Sequence, residues 1–424
     1  MRGPFSRRTR LSEINSLYAA VLGLKAPWSI ERVETDLEAG EVHVTVALPT
    51  NTRWVCPECH AEAPIHDHQE RSWRHLDTCQ FRTLIHARVP RLKCPTHGIR
   101  QLQVPWAEPG SQFTALFEAL AIDWLKQASV SAVARHLRIT WDEAAGIQSR
   151  AVKRGLARRA QVSPKYVGVD ETSFRKRHAY VTVVSDLERG QVLHVADGRT
   201  QASLDAFWTG LPRPQLHAIE AVAMDMCAPY IQSALLHLPA ADEKIVFDKF
   251  HIAQSLSTAL DQVRRLESRR LGAAGDHSLK GTRYDWLRHP RTFTLAAARE
   301  FAALRRRVRR MARAWEIKET AMAIFDLKAA WAARRNFEAW FQWAIRSKLE
   351  PMKRVARTLR RYWDQIENYF RHRITNASLE ALNTKIQQVK RRSRGFRNRD
   401  RFREAILFHC GGLDLYPTGV SRGA

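Results

Sequence analysis

Two sets of side chains in this chain could carry chemistry. The first is Cys56-Pro-Glu-Cys59 with Cys94-Pro-Thr-His97, two pairs whose ligands are separated by two residues. That spacing lets both side chains of a pair reach one ion, and thiolates with an imidazole suit tetrahedral zinc. Four protein ligands leave no open coordination position, so a structural zinc site is expected rather than a catalytic one. His60, His66, His68 and Cys79 are expected at the surface or behind the ligands. The second set is acidic. Tyr166-Val-Gly-Val-Asp170 is a short apolar run ending on a carboxylate, and Ala218 to Met224 is another, followed by Asp225. A carboxylate leaving a buried strand is costly unless it is paired, hydrogen-bonded or bound to metal. For Asp170 a turn-capping role is the alternative.

The elements that position these residues follow from periodicity. Residues 11 to 50 read as a short helix and two strands, Ser29 to Asp36 and Glu41 to Leu48, with Glu38-Ala39-Gly40 as their turn. Gln80 to Leu92 reads as a strand that brings the two metal-binding pairs together. Asp170 is expected at the exit of the first strand of a meander. The second strand is Ala179 to Ser185 and the third Gln191 to Ala196, joined by the turn Leu187-Glu188-Arg189-Gly190. Ser203 to Gly210 reads as a helix, Met226-Cys-Ala-Pro229 opens another, and Lys244 to Phe247 is a further short strand before Asp248-Lys-Phe-His251. Meander, helix, strand, helix, strand describes a mixed sheet with flanking helices, as a ribonuclease-H-like domain requires. Residues 252 to 370 read as almost wholly helical, with Trp286, Trp315, Trp331, Trp340, Trp343 and Trp363 as packing residues. Asn376 to Arg391 is a strong helix whose apolar stripe is Leu379, Leu382, Ile386 and Val389, while Glu380, Thr384 and Gln387 occupy another face.

Charge indicates the partner. The 424 residues carry 69 Lys plus Arg against 43 Asp plus Glu, a formal net charge of +26. A polyanion, most simply nucleic acid, follows from such a balance. Ser129 to Ile147 reads as a helix-turn-helix. Val130, Val133, Ala134 and Leu137 form the inner face of its first helix, and Thr140 with Glu143 forms a capping box for the second. Arg138 stands where glycine is common in such turns. Arg135, Trp141, Arg150, Lys153 and Arg154 are the expected DNA contacts of this module. Lys385, Lys390, Arg391, Arg392, Arg394 and Arg397 are the expected phosphate contacts around Glu380. Six cysteines in a chain this long do not form a disulfide scaffold, and no apolar run approaches a membrane span. A cytoplasmic, nucleoid-associated protein without membrane contact is expected.

In their joint order these motifs resemble the bacterial insertion-sequence transposases of the ISL-three type, within the DDE class. The resemblance is carried by both metal-binding pairs, the helix-turn-helix, Val-Gly-Val-Asp-Glu-Thr-Ser, Val-Ala-Met-Asp-Met and Phe-Asp-Lys-Phe-His. It closes with Asn-Ala-Ser-Leu-Glu-Ala-Leu-Asn-Thr-Lys-Ile and Arg-Gly-Phe-Arg-Asn, so it spans nearly the whole chain. It implies a multidomain α/β plus α protein with a ribonuclease-H-like catalytic domain interrupted by an all-helical insertion. The expected divisions are an N-terminal α+β segment at 1–50, a zinc-binding domain at 51–105 and a helix-turn-helix domain at 111–160. The catalytic domain then covers 164–254 and 371–415, around an insertion at 255–370. The resemblance assigns the acidic triad to Asp170, Asp225 and Glu380, binding Mg²⁺ or Mn²⁺, with Asp248 and His251 as a secondary positional pair. It further implies double-stranded DNA as partner, both transposon ends and target, and a homodimer in the synaptic complex. Two rival readings remain: a non-catalytic DNA-binding regulator derived from such an enzyme, and a recombinase with a tyrosine nucleophile.

Overall fold

The computed structural model describes residues 7–24, 26–49, 53–175, 179–247, 249–374 and 377–420, with the side chains of 7–12 and 377 excluded. It divides into two compact units, one formed by residues up to 160 together with those from 413, the other by 161–412.

In the first unit, helix α1 (Arg7–Val21) precedes a five-stranded sheet of β1 (Ser29–Asp36), β2 (Glu41–Ala47), β3 (Ile65–Thr78), β4 (Phe81–Cys94) and β5 (Gly98–Gln101). The sheet order is β1-β2-β4-β3, with β5 paired to β4. Val42, Val44 and Val46 alternate inward along β2 and join Trp28, Trp73, Ile85 and Trp106 in one core. The sequence does not announce β3. Its residues Ile-His-Asp-His-Gln-Glu-Arg-Ser-Trp-Arg-His-Leu-Asp-Thr carry little apolar alternation, and antiparallel pairing with β4 over most of its length holds them extended. Cys79 and Gln80 make the intervening turn at φ 49° and 70°, the positive-φ pair that a tight two-residue hairpin needs. Helices α2 (Ala115–Gln127), α3 (Val130–His136) and α4 (Trp141–Arg158) follow, the last two being the helix-turn-helix. The capping box is present: Thr140 Oγ1 accepts from the Glu143 N–H, and Glu143 accepts from the Thr140 N–H at 2.7 Å.

The second unit is built on β6 (Tyr166–Arg175), β7 (Ala179–Asp186), β8 (Gln191–Asp197), β9 (Ala221–Met224) and β10 (Ile245–Phe247), in the order β10-β9-β6-β7-β8. β6, β7 and β8 form the antiparallel meander, and β9 and β10 add on in parallel. The connections between β8 and β10 are α5 (Gln201–Thr209), α6 (Arg213–Ala218), α7 (Ala228–His237) and α8 (Ala241–Lys244). Residues 218 to 220 therefore lie outside the strand expected to start at Ala218, and Lys244 belongs to a helix. The helical region begins with the long α9 (Lys249–Ala273). It continues through α10 (Arg283–Leu287), α11 (Leu295–Arg307), α12 (Arg309–Ile324), α13 (Ala330–Arg346), α14 (Glu350–Arg361) and α15 (Trp363–His372). Trp286, Trp315, Trp340 and Trp363 are core residues there, whereas Trp331 is 72% exposed and packs nothing. Helices α16 (Ala377–Arg392) and α17 (Arg399–Cys410) cover one face of the meander through Leu382, Ile386, Phe402 and Ile406 against Phe174, Val181, Val183 and Val192.

Candidate active site and metal centre

Cys56, Cys59, Cys94 and His97 converge so that one ligand atom from each lies within 4.8 Å of the others. Cys59 Sγ and Cys94 Sγ are 3.6 Å apart, and His97 Nδ1 is 3.6 Å from Cys94 Sγ and 3.8 Å from Cys56 Sγ. Zinc–sulfur bonds of about 2.3 Å in a tetrahedron put sulfur atoms about 3.8 Å apart, so the cluster has the dimensions of a closed zinc site. Backbone N–H groups of Glu58 and Cys59 lower the Cys56 thiol pKa, and those of Thr96 and His97 lower that of Cys94, which favours the metal-binding thiolates. The residue after each pair has a left-handed backbone: His60 at φ 58° and Gly98 at φ 70°. His60 is thus a turn residue and not a ligand, and His66, His68 and Cys79 are likewise exposed outside the cluster.

The helix-turn-helix resolves the Arg138 anomaly. Arg138 adopts the left-handed φ of 55° that its turn demands, and its guanidinium is held by the Gln80 carbonyl at 2.7 Å and by Asp77. Of the expected DNA contacts here, Arg135, Trp141 and Lys153 are exposed. Arg150 and Arg154 are corrected: both turn inward. The Arg154 side chain is 8% exposed and bonds Glu108, Glu118 and the Leu415 carbonyl, while Arg150 bonds Glu118 at 2.6 Å. Glu118 is 1% exposed, and a carboxylate buried so deeply requires such partners.

Asp170 also departs from expectation, because β6 continues to Arg175 and the aspartate lies mid-strand. What ends near it is the parallel pairing with β9, which runs from Tyr166↔Ala221 to Gly168↔Ala223. Extending that register by two places brings Asp170 level with Asp225, just past the end of β9. Burial raises the Asp170 pKa, and the negative charge of Asp225 raises it further, against the Asn383 amide and the Glu171 N–H. The Glu171 N–H donates to Asp170 Oδ1 at 2.7 Å, and Asn383 Nδ2 donates to Asp170 Oδ2. His251, near the start of α9, puts Nε2 2.8 Å from Asp225 Oδ1. Burial also raises the pKa of Glu171, opposed by Arg199, with which it pairs at 2.5 Å.

Helix α16 runs along β6 in step with it. Leu379 abuts Gly168, Asn383 bonds Asp170, Gln387 Nε2 donates to Thr172 Oγ1 at 3.0 Å, and Lys390 donates to the Ser173 carbonyl. Four helical residues rise about 6 Å and two strand residues about 6.6 Å, so the match persists over three turns. A Cβ on Gly168 would lie 2.1 Å from Leu379 Cδ1, so glycine is what admits the helix this closely. Glu380 is exposed and shares a side of α16 with Asn383 and Gln387. The three assigned carboxylates are not drawn to metal-ligand spacing; among the described residues only the zinc quartet is. Asp248 lies outside the described residues. Lys385, Arg391, Arg392, Arg394 and Arg397 are exposed, whereas Lys390 is half-buried through its bond to β6. The sequence reading missed Asn383, Glu171 and Arg199. Asn383 was findable as the residue one turn after Glu380; the other two carried no sequence signal.

Residues 167–406, more than half of the chain, match the family model described as a transposase. The chain belongs to the ISL3 family of transposases. Residues 52–97 match the zinc-finger of transposases IS204, IS1001, IS1096 and IS1165, and residues 102–152 match the helix-turn-helix domain of transposase family ISL3. Among its relatives is the transposase for insertion sequence element IS1557 of Mycobacterium tuberculosis, 27% identical over 415 residues, covering 90% of this chain and 92% of the relative. The transposase for insertion sequence element IS1001 of Bordetella parapertussis is 26% identical over 381 residues, 88% of this chain and 93% of that one. As an ISL3 transposase the protein is a DDE enzyme that cleaves and joins DNA strands, which removes the tyrosine-nucleophile reading. DNA is its partner, and no described helix is long and apolar enough to cross a membrane.

Proposed function

We propose that Asp170, Asp225 and Glu380 are the three acidic residues of this DDE transposase and that they take Mg²⁺ or Mn²⁺. The observation that carries the reading is the pair Asp170 and Asp225: Asp170 on β6 level with Asp225 just past the end of β9, with Asp170 held at a raised pKa by burial and by its acidic neighbour. Two carboxylates so placed repel each other, and an all-oxygen donor set suits a hard divalent cation. Bound there, the cations supply activation of the attacking oxygen and stabilisation of the leaving one. The residues of the chain do the positioning. Asn383 fixes one oxygen of Asp170 and the Glu171 N–H the other, while His251 orients Asp225. Glu380, one turn before Asn383, stands at the solvent edge of the same helix face, open to a cation shared with the aspartates. Asp248 and His251 act as a positional pair. The exposed bases Lys385, Arg391, Arg392, Arg394 and Arg397 hold DNA phosphates, as do Arg135, Trp141 and Lys153 on the helix-turn-helix. The zinc module and helix-turn-helix read the terminal inverted repeats of the element, and two copies join two ends in the synaptic complex.

The test is a set of amide variants assayed on duplexes carrying those repeats. Asp170→Asn, Asp225→Asn and Glu380→Gln should each bind end DNA normally and lose Mg²⁺-dependent cleavage by roughly a thousandfold or more. Full cleavage by Glu380→Gln moves the third carboxylate elsewhere, and full cleavage by Asp170→Asn removes the mechanism.

A further inference from the structure

A cleft of about 450 Å³ opens beside Asp225, His251 and Arg199 and extends between α9 and α14. Helix α9 buries Ile252, Leu256, Ala259, Leu260 and Val263. Its opposite stripe, Gln254, Thr258 and Gln262, is exposed at four-residue spacing and points into the cleft with Ser255. Helix α14 buries Met352, Ala356 and Leu359 and contributes Arg354 and Thr358 to the other wall. Among the described residues of the lining Asp225 is the one acid, and Arg354 stands on the wall away from it.

We infer that this cleft receives a short unpaired DNA strand next to the scissile phosphate. The inference rests on the reading of Asp225 as part of the active site. From His251 to Gln262 is eleven residues, about 16 Å of helix, enough for a few nucleotides of one strand. The cleft volume is that of a pocket for a single small ligand, and a double helix does not enter it. Its chemistry fits an unpaired strand. Arg354 supplies a cation for phosphate, the Ser255 and Thr258 hydroxyls add neutral phosphate or sugar contacts, and Gln254 and Gln262 offer donors and acceptors for exposed base edges. Because the cleft does not admit a duplex, base edges come within reach of these amides only when the pairing at that point has opened. The helical region thereby acts on the substrate: it captures a strand that parts from its complement at the cut.

The full-length protein, held in Ca²⁺-containing buffer to prevent turnover, is titrated with two duplexes carrying the element's terminal repeat. One is fully paired, and the other has three unpaired nucleotides at the repeat boundary. The expected result is that the wild-type protein binds the opened duplex about tenfold more tightly, the scale of one charge-assisted hydrogen bond. The variant with Gln254→Ala and Arg354→Ala should lose that preference, while its affinity for the paired duplex reports an intact fold and intact repeat recognition. A second variant, Gln262→Ala alone, should lose part of the preference. No preference in the wild-type protein, or an undiminished one in the double variant, overturns the proposal. Asp225→Asn separates the two ideas: it should keep the preference for the opened duplex yet fail to cleave in Mg²⁺. Cleavage by that variant would sink the active-site assignment, whereas loss of preference confined to the cleft variants would still mark the strand's path.

Discussion

The zinc quartet and the proposed acidic site are constructed in opposite ways. At the zinc site, two four-residue turns joined by the β3–β4 hairpin bring four ligands together, and the backbone already favours thiolates at Cys56 and Cys94. At the acidic site the proposed residues are separated by 55 and 155 positions of sequence, sit on a strand, just past the end of another and on a helix, and leave one aspartate raised in pKa by burial. The first site is complete in itself and is a fastening. The second, on the reading proposed above, is a place for a reaction, because cations that only complete an unfinished set stay open to substrate oxygen. A third buried acid sharpens the contrast: Glu118 is more deeply buried than Asp170, yet two arginines neutralise it.

The contrast breaks most visibly if zinc is removed. Structural zinc contributes roughly 10 kcal/mol of folding free energy in small zinc modules, so chelation should release residues 53–101 from protection in hydrogen exchange. The mixed sheet of the second unit should keep its protection. Protein that purifies without stoichiometric zinc would refute the comparison at its root. Next in size is Glu118: Arg154→Ala leaves a buried carboxylate short of a partner and should cost about 3–5 kcal/mol in urea unfolding. A loss below about 1 kcal/mol would mean that Glu118 is solvated after all.

The acidic site should respond in the other direction. A carboxyl whose folded pKa is raised binds its proton more tightly in the folded chain than in the unfolded one. Stability is therefore gained as pH falls through the folded pKa and lost as pH rises through it. At neutral pH without divalent metal, Asp170→Asn should accordingly raise the Tm, and Mg²⁺ should raise the Tm of the wild-type protein alone. A lowered Tm for the amide would show that Asp170 is compensated. The smallest effect belongs to the exposed bases: Arg391→Ala with Arg392→Ala should reduce the salt slope of DNA binding by about two, equally for all sequences.

How much of this was legible in the sequence depended on the range of the forces involved. The zinc pairs, the capping box of Thr140 and the apolar stripe of α16 are local patterns, and each lies where periodicity put it, within a residue or two. Strand β3 was not legible, because tertiary pairing with β4 and not its own composition makes it a strand. Arg150 and Arg154 looked like DNA contacts because spacing reports a basic helix and says nothing about an acid arriving from α2. The position of Asn383 one turn after Glu380 was readable, but its bond to Asp170 was not, because that partner lies 213 residues earlier.

The packing of α16 and α17 on the meander has a consequence for the order in which the protein is made. Phe174, Val181, Val183 and Val192 leave the ribosome about two hundred residues before Leu382, Ile386, Phe402 and Ile406, which cover them. At synthesis rates of about 5–20 residues per second, that face of the sheet waits roughly ten to forty seconds for its cover. Until then Asp170 lacks Asn383 and the carboxylate one turn before it. On the proposed triad, a nascent fragment can hold Asp170 and Asp225 yet has no Glu380 to set beside them, so the capacity to cut DNA would arrive only after α16 has been made.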